Sequence, residues 1–273
     1  MITVNLKGGL GNQMFQYACG RALALKNATG LSLVRSQHSR DVSRPFSLTH
    51  FNLKAEIISG RKSPFFLKLK ERLKQKITGD FHVGFDPKVL QLGTTAYLDG
   101  YFQSELYFKD YEESIREDFT LKEPLSGNKT VIADIIRNDP NAVSVHVRRN
   151  DYLTHPDFGG VATREYYNRA IARLQENIPT ARFYVFSDDI VWCQTELTSL
   201  KDATFVSNPE LKDFEEMFLM TLTKHHIIAN SSFSWWGAWL GQNPTKIVIA
   251  PERWSNLNED WYRDIIPEKW IRV

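Results

Sequence analysis

The sequence predicts an α/β protein with a parallel, doubly wound sheet, on two observations. From about residue 142 onward, short apolar runs alternate regularly with segments of helical spacing. The chain also opens with a strand, a turn, a helix and a second strand, which together make a βαβ unit.

Ile2-Thr3-Val4-Asn5-Leu6 reads as the first buried strand, and Lys7-Gly8-Gly9-Leu10-Gly11-Asn12-Gln13 as a glycine-rich turn. From Met14 to about Asn27, Phe15, Ala18, Ala22 and Leu25 recur with helical spacing. Gly30 closes that segment and Leu31-Ser32-Leu33-Val34 resumes as a strand. Patterns are weaker over residues 36–130. Residues 61–76 form a basic amphipathic helix candidate, read either as a peripheral membrane contact or as a solvated helix with an ordinary buried stripe. Residues 95–102 read as a strand, 114–118 as helical, and Pro124, Gly127 and Asn128 as a turn or linker.

The later elements follow in steady order. Ala142-Val143-Ser144-Val145 reads as a buried strand ending at His146, and about 164–177 as a helix. Residues 182–186 form the next predicted strand, ending at Ser187-Asp188-Asp189, with a short helix over about 190–200. A strand at 203–206 precedes a helix at 211–224, with Phe214, Met217, Phe218 and Leu222 inward. A strand at 226–229 then ends at Asn230-Ser231-Ser232, a helix covers about 233–241, and 246–250 is the last strand.

Composition narrows the function classes. A chain of 273 residues has room for one large or two ordinary domains. A net charge of +2 gives no bulk attraction for nucleic acid, so none is expected as a partner. Two cysteines, Cys19 and Cys193, make neither a disulfide framework nor a metal cluster, and they fit a reducing compartment. No apolar run approaches the ~20 residues of a membrane span, and no signal-peptide pattern opens the chain. The expected location is therefore cytoplasmic, with residues 61–76 as the candidate contact to the inner membrane face.

The most informative stretch is His146-Val147-Arg148-Arg149-Asn150-Asp151-Tyr152. Two arginines just past a strand end match phosphate oxygens with their planar forks. The competing reading is pairing with nearby carboxylates. Ligands of open α/β sheets bind beyond the carboxyl ends of the strands. Parallel strands would bring His146 and Arg148, Ser187 and Asp188, and Asn230, Ser231 and Ser232 to one edge. The serines lead into a helix start, which suits both N-capping and an oxyanion. Asp188-Asp189 reads as metal ligands, as acceptors for base or ribose donors, or as a helix cap. The third glycine of a dinucleotide fingerprint would fall at Met14, which counts against a dehydrogenase. Trp235, Trp236 and Trp239 read as core packing.

Four blocks resemble the bacterial α-1,2-fucosyltransferases of glycosyltransferase family 11. They are Gly8-Gly9-Leu10-Gly11-Asn12-Gln13-Met14-Phe15-Gln16-Tyr17, the arginine stretch, Phe186-Ser187-Asp188-Asp189, and Asn230-Ser231-Ser232-Phe233-Ser234-Trp235-Trp236-Gly237-Ala238. Asn150 departs from the pattern, where Gly is common. The resemblance implies a GT-B-like fold of two Rossmann-like domains with parallel sheets facing across a cleft. It divides the chain into residues 1–130, on the acceptor side, and 131–273, which bind the donor. It implies inverting transfer of fucose from GDP-fucose to the 2-hydroxyl of a β-galactoside, with no metal and no further cofactor.

By the same resemblance Arg148 reaches the diphosphate, and Arg149 shares that task or braces the loop. His146 and Asp188 lie toward the nucleoside, and Ser187 and Asn230 are further donor-binding residues at the strand ends. Ser231, Ser232 and Ser234 lie toward the phosphates. Gly11 and Asn12 approach the diphosphate or the fucose from the other domain. Asp151 is the leading base or is salt-bridged to Arg149, and His155 and Asp157 remain open for the base. Two other functions compete: a metal-dependent nucleotide-sugar transferase using Asp188-Asp189, and a non-catalytic glycan-binding protein using the aromatic residues.

Overall fold

The computed structural model describes residues 1–35, 46–58, 84–200 and 202–273, with the backbone of 76–78. The candidate helix at 61–76 lies outside the described residues, apart from the backbone of Lys76. Among the described residues, no helix is long and apolar enough to cross a membrane.

The chain divides into two compact units. The first holds Met1–Lys122 and Asp260–Pro267, and the second Glu123–Glu259 and Glu268–Val273. Each has its own parallel sheet.

In the first unit, β1 (Ile2–Leu6), β2 (Leu31–Arg35), β3 (Glu56–Ile58), β4 (Lys76–Thr78) and β5 (Ala96–Asp99) form a parallel sheet of order β3-β2-β1-β5-β4. Central β1 is apolar at Ile2, Val4 and Leu6, all buried, and pairs Ile2 with Leu31 and with Ala96. Helix α1 (Leu10–Lys26) covers it. Gly20 permits the close approach, because a Cβ there would lie 2.4 Å from Val4 Cγ2.

The predicted turn through Gln13 is corrected here: α1 starts at Leu10, so Gly11 and Asn12 lie in its first turn. Gly8 and Gly9 suffice for the reversal. Gly8 has φ +77°, and a Cβ on it would meet Asn12 Nδ2 at 2.5 Å. Buried glutamines hold the turn: Gln13 Nε2 donates to Gly8 O, and Gln16 both accepts from Lys7 N–H and donates to Lys7 O. These amides replace the backbone partners that a tight strand-to-helix reversal leaves unmade.

Helix α2 (Glu112–Asp118) ends on a buried carboxylate. Asp118 Oδ2 accepts from Tyr17 Oη at 2.7 Å and Arg21 Nε at 2.8 Å, joining α2 to α1. Burial first, and this bond second, push the Tyr17 phenol far above its ordinary range.

In the second unit the helices α3 (Asn128–Asn138), α4 (Arg164–Gln175), α5 (Ile190–Glu196), α6 (Asp213–Thr221) and α7 (Ser232–Leu240) surround a second sheet. Its strands are β6 (Ala142–Val147), β7 (Arg182–Ser187), β8 (Thr204–Phe205), β9 (His225–Ile227), β10 (Val248–Ala250) and β11 (Ile271–Arg272). They run parallel in the order β11-β10-β9-β6-β7-β8. Period-two alternation splits β6 between two cores. Val143, Val145 and Val147 pack with Tyr166, Tyr167 and Ile171 of α4, while Ala142 packs with Ile136 of α3 and with Leu219 and Met220 of α6.

Several boundaries differ from expectation. β6 runs one residue past His146. α6 is shorter than 211–224; Leu219 and Met220 are buried, whereas Phe218 and Leu222 are only half-buried. β10 starts at Val248 because Lys246 serves α7 instead, donating to the carbonyls of Ala238, Trp239 and Gly241. α3 was hidden by the turn signals at its start and by the exposure of Val131 and Ile135. Cys19 and Cys193 are buried, as core residues.

Asp118→Ala would strand Tyr17 and Arg21. We expect a loss of about 2–4 kcal/mol, read as a lower urea midpoint for the first unit with the secondary structure of the folded state unchanged.

Candidate active site

The carboxyl ends of β9, β6 and β7 are neighbours in the second sheet. The predicted residues of this unit lie at those ends.

His146 comes first. It is buried beside the Phe233 ring, with centroids 5.5 Å apart, and its Nδ1 has no hydrogen-bond partner among the described residues. Burial, and then the Arg148 charge, push its pKa down to about 3. The imidazole is therefore neutral at physiological pH. Tyr167 fixes the strand end beneath it by donating to His146 O.

Both arginines are held by carboxylates. Arg148 Nη2 lies 2.6 Å from Asp151 Oδ1, and Nη1 lies 3.1 Å from Asp188 Oδ2. The second contact is an ion pair without hydrogen-bond alignment. Arg149 donates its backbone N–H to Asp188 Oδ1 and its Nε to Asp189 Oδ2. Its guanidinium stacks 3.9 Å over the Trp192 ring. Asn150 Nδ2 donates to Asp188 O. One of the two sequence readings of Asp151 paired it with Arg149; the structure pairs it with Arg148. The turn Asn150–Tyr152 carries Asp151 back over Arg148, three residues away, while Arg149 faces Trp192.

The two aspartates that follow β7 have separate jobs. Asp189 Oδ1 accepts from Trp192 N–H and so caps α5, and Asp189 N–H donates to Ser187 Oγ. Asp188 faces the arginines. Ser187 N–H donates to Ser207 Oγ.

The turn into α7 is similarly engaged. Asn230 Nδ2 donates to Phe158 O and Trp254 O. Ser231 caps the helix, its Oγ accepting from Phe233 N–H at 3.3 Å. Buried Ser234 turns its hydroxyl inward to Ala229 O and Ser231 O. Ser232 is half-buried on the first turn. Phe158 links this turn to the arginine loop, since it stacks on Tyr152, whose ring lies under Arg148. His155 packs on Phe158 and accepts from Asp157 N–H. Asp157 is tied through its backbone carbonyl to Ser255 and Asn256.

Trp235, Trp236 and Trp239 are buried and pack on one another at 5.0–6.0 Å. Buried in this way, their rings have no face to offer a glycan. In the first unit, Asn12 Oδ1 accepts from Gln103 Nε2 at 2.6 Å.

Known proteins resemble this chain along its length. The family described as Glycosyl transferase family 11 matches residues 1–273. An alpha-1,2-colitosyltransferase of Escherichia coli is 34% identical over 305 residues, covering 100% of this chain and 99% of its own length. The galactoside 2-alpha-L-fucosyltransferase Sec1 of Mus musculus is 26% identical over 288 residues, covering 100% and 74%. Among solved structures, a mutant of Arabidopsis thaliana FUT1 in complex with GDP superposes with a TM-score of 0.50 at 12% identity, covering 94% of this chain and 71% of the other. That likeness is one of fold. The fold is GT-B-like, with a parallel α/β sheet in each unit.

One residue beside the site escaped the sequence reading. Glu216 of α6 has its carboxyl pushed up to about 7 by burial, with the charges of Asp213 and Asp188 adding and a hydrogen bond with Ser207 opposing. Helical period was the only sequence signal there, and it marked Phe214 and Met217 instead. The raised value sets a pH dependence. The folded protein keeps a proton that the unfolded chain has lost, so the contribution to stability falls as pH rises from about 4.5 through about 7. Glu216→Gln should flatten that decline and raise stability above pH 7 by roughly 1–3 kcal/mol, measured as denaturant midpoints across pH.

Proposed function

The chain belongs to glycosyltransferase family 11, and we propose that within it the protein moves L-fucose from GDP-fucose to the 2-hydroxyl of a terminal β-linked galactose. The observation that carries this reading is the match of the family to all 273 residues. The arginine–aspartate cluster at adjacent strand ends supports it.

On this reading the second unit binds GDP. The diphosphate meets Arg148 and the first turn of α7 at Ser231 and Ser232, where backbone N–H groups face outward. Arg149 stays on Trp192 and Asp189 and braces the loop. Neutral His146 and Asp188 border the nucleoside, with Ser187 and Asn230 shaping the strand ends. Ser234 holds the turn from within. Gly11 and Asn12 are the donor contacts assigned to the first unit, and that unit takes the acceptor.

The chemistry is a single displacement with inversion. The galactose 2-oxygen attacks the anomeric carbon of fucose as the bond to the β-phosphate oxygen breaks. The bonding pair leaves with GDP, and the hydroxyl proton passes to a carboxylate, for which Asp151 is the candidate. Negative charge grows on the departing oxygen. A fixed guanidinium there lowers the barrier more than it tightens ground-state binding. No step calls on a divalent ion.

A second donor has support. The 34% identical relative is named as a colitosyltransferase. Colitose is fucose without its 3-hydroxyl. A site that hydrogen-bonds a hydroxyl rejects the analogue lacking it by orders of magnitude.

Incubation with β-galactosides and either GDP-fucose or GDP-colitose, in chelator, should yield an α-1,2-fucosylated galactoside from the first donor. Transfer from GDP-colitose alone would reassign the donor, and transfer from neither would end the proposal. Arg148→Lys keeps the charge but loses the fork. It should lower kcat by about 10²–10³-fold with the circular dichroism spectrum unchanged.

A further inference from the structure

Among the described residues of the arginine loop and the β7 end, three carboxylates face two guanidinium groups: Asp151, Asp188 and Asp189 against Arg148 and Arg149. A diphosphate approaching this edge meets arginines that are already neutralised. The reaction proposed above needs Arg148 on that diphosphate, so one of its carboxylates has to give way.

The two candidates differ in exposure. Asp188 is 18% exposed at its side chain, accepts the Arg149 backbone N–H, and holds Asn150 through its own carbonyl. Losing it would dismantle the loop. Asp151 is 45% exposed and lies on a three-residue turn, Asn150–Tyr152. Water already reaches its carboxylate, so giving up Arg148 for solvent costs it less than it would cost Asp188. The Nη2 edge that it covers at 2.6 Å is the more exposed contact of Arg148. That edge has the geometry a phosphate oxygen would take.

We propose that Asp151 is an exchangeable counterion that sets the donor affinity. It covers Arg148 while the site is empty and yields that edge to a phosphate of the incoming diphosphate. The exchange makes and breaks no covalent bond. Donor affinity is then reduced by the fraction of molecules in which Arg148 is covered. The inference rests on the proposed donor only for the identity of the phosphate carrier.

Calorimetric titration of the full chain with GDP, inorganic pyrophosphate and guanosine tests it. Asp151→Asn should bind GDP and pyrophosphate about two- to fivefold tighter than the parent, as expected for release of a partly exposed ion pair. The gain should shrink at high salt, and guanosine, which carries no phosphate, should bind unchanged. Asp151→Ser should act in the same direction, which guards against an effect peculiar to asparagine. Unchanged or weaker pyrophosphate binding in both variants overturns the exchange, as does an equal gain for guanosine. A parent that binds no GDP, with variants that still bind pyrophosphate more tightly, removes the nucleotide reading and leaves the exchange standing.

Discussion

The second unit's site depends on how Asp188 is used. One carboxylate, at the end of β7, takes the Arg149 backbone N–H and sits 3.1 Å from Arg148, while its own carbonyl takes Asn150. It therefore fixes the start of the loop after β6, on the neighbouring strand. The remaining cations and anions sort themselves around that point. Arg149 falls onto Trp192 and Asp189, and Arg148 is left with Asp151. Ion pairs of this sort gain little net stability, because desolvation offsets much of the Coulomb attraction. Their larger effect is directional: each guanidinium is held in one orientation before any ligand arrives.

The helix start at the same sheet edge belongs to a buried helix. Helix α7 is buried from Ser234 to Leu240, with the tryptophans packed edge to face and face to face. A helix apolar on every side belongs inside a core. Here it also puts its N-terminus beside the ends of β9 and β6, so the outward-facing amides of its first turn come to the same edge as the arginines. The Ser231 cap serves the same purpose, satisfying one amide while leaving the backbone of the turn extended.

The long strands and helices were legible in the sequence because burial wrote a clear period into them. β6 alternates valines toward one core, and β7 is apolar from Phe183 to Phe186. The short strands β3, β4 and β11, of two or three residues each, are too brief to carry a period. The start of α1 was hidden by its glycines, whose loop signal outweighed the helical spacing of buried Leu10 and Met14. The site divided in the same way. Residue types at strand ends could be read, since topology alone brings them together. Which carboxylate meets which arginine could not, because the contacts of Arg148 with Asp188 and of Arg149 with Asp189 span forty residues and are decided by a three-residue turn and a stacked indole.

A neutralised arginine pair also bears on how such a site divides binding from rate. Interactions equal in the ground state and the transition state tighten binding without speeding the chemistry. An arginine that exchanges one carboxylate for a phosphate gains little when the donor first binds, since one ion pair replaces another. It gains more as the departing oxygen accumulates charge, because Asp151 carries a fixed charge whereas the phosphate does not. Neutral His146, buried and set against Phe233, adds no competing cation at the same edge. On the proposed reaction, the arrangement thus favours charge that develops during bond breaking over charge already present on the substrate.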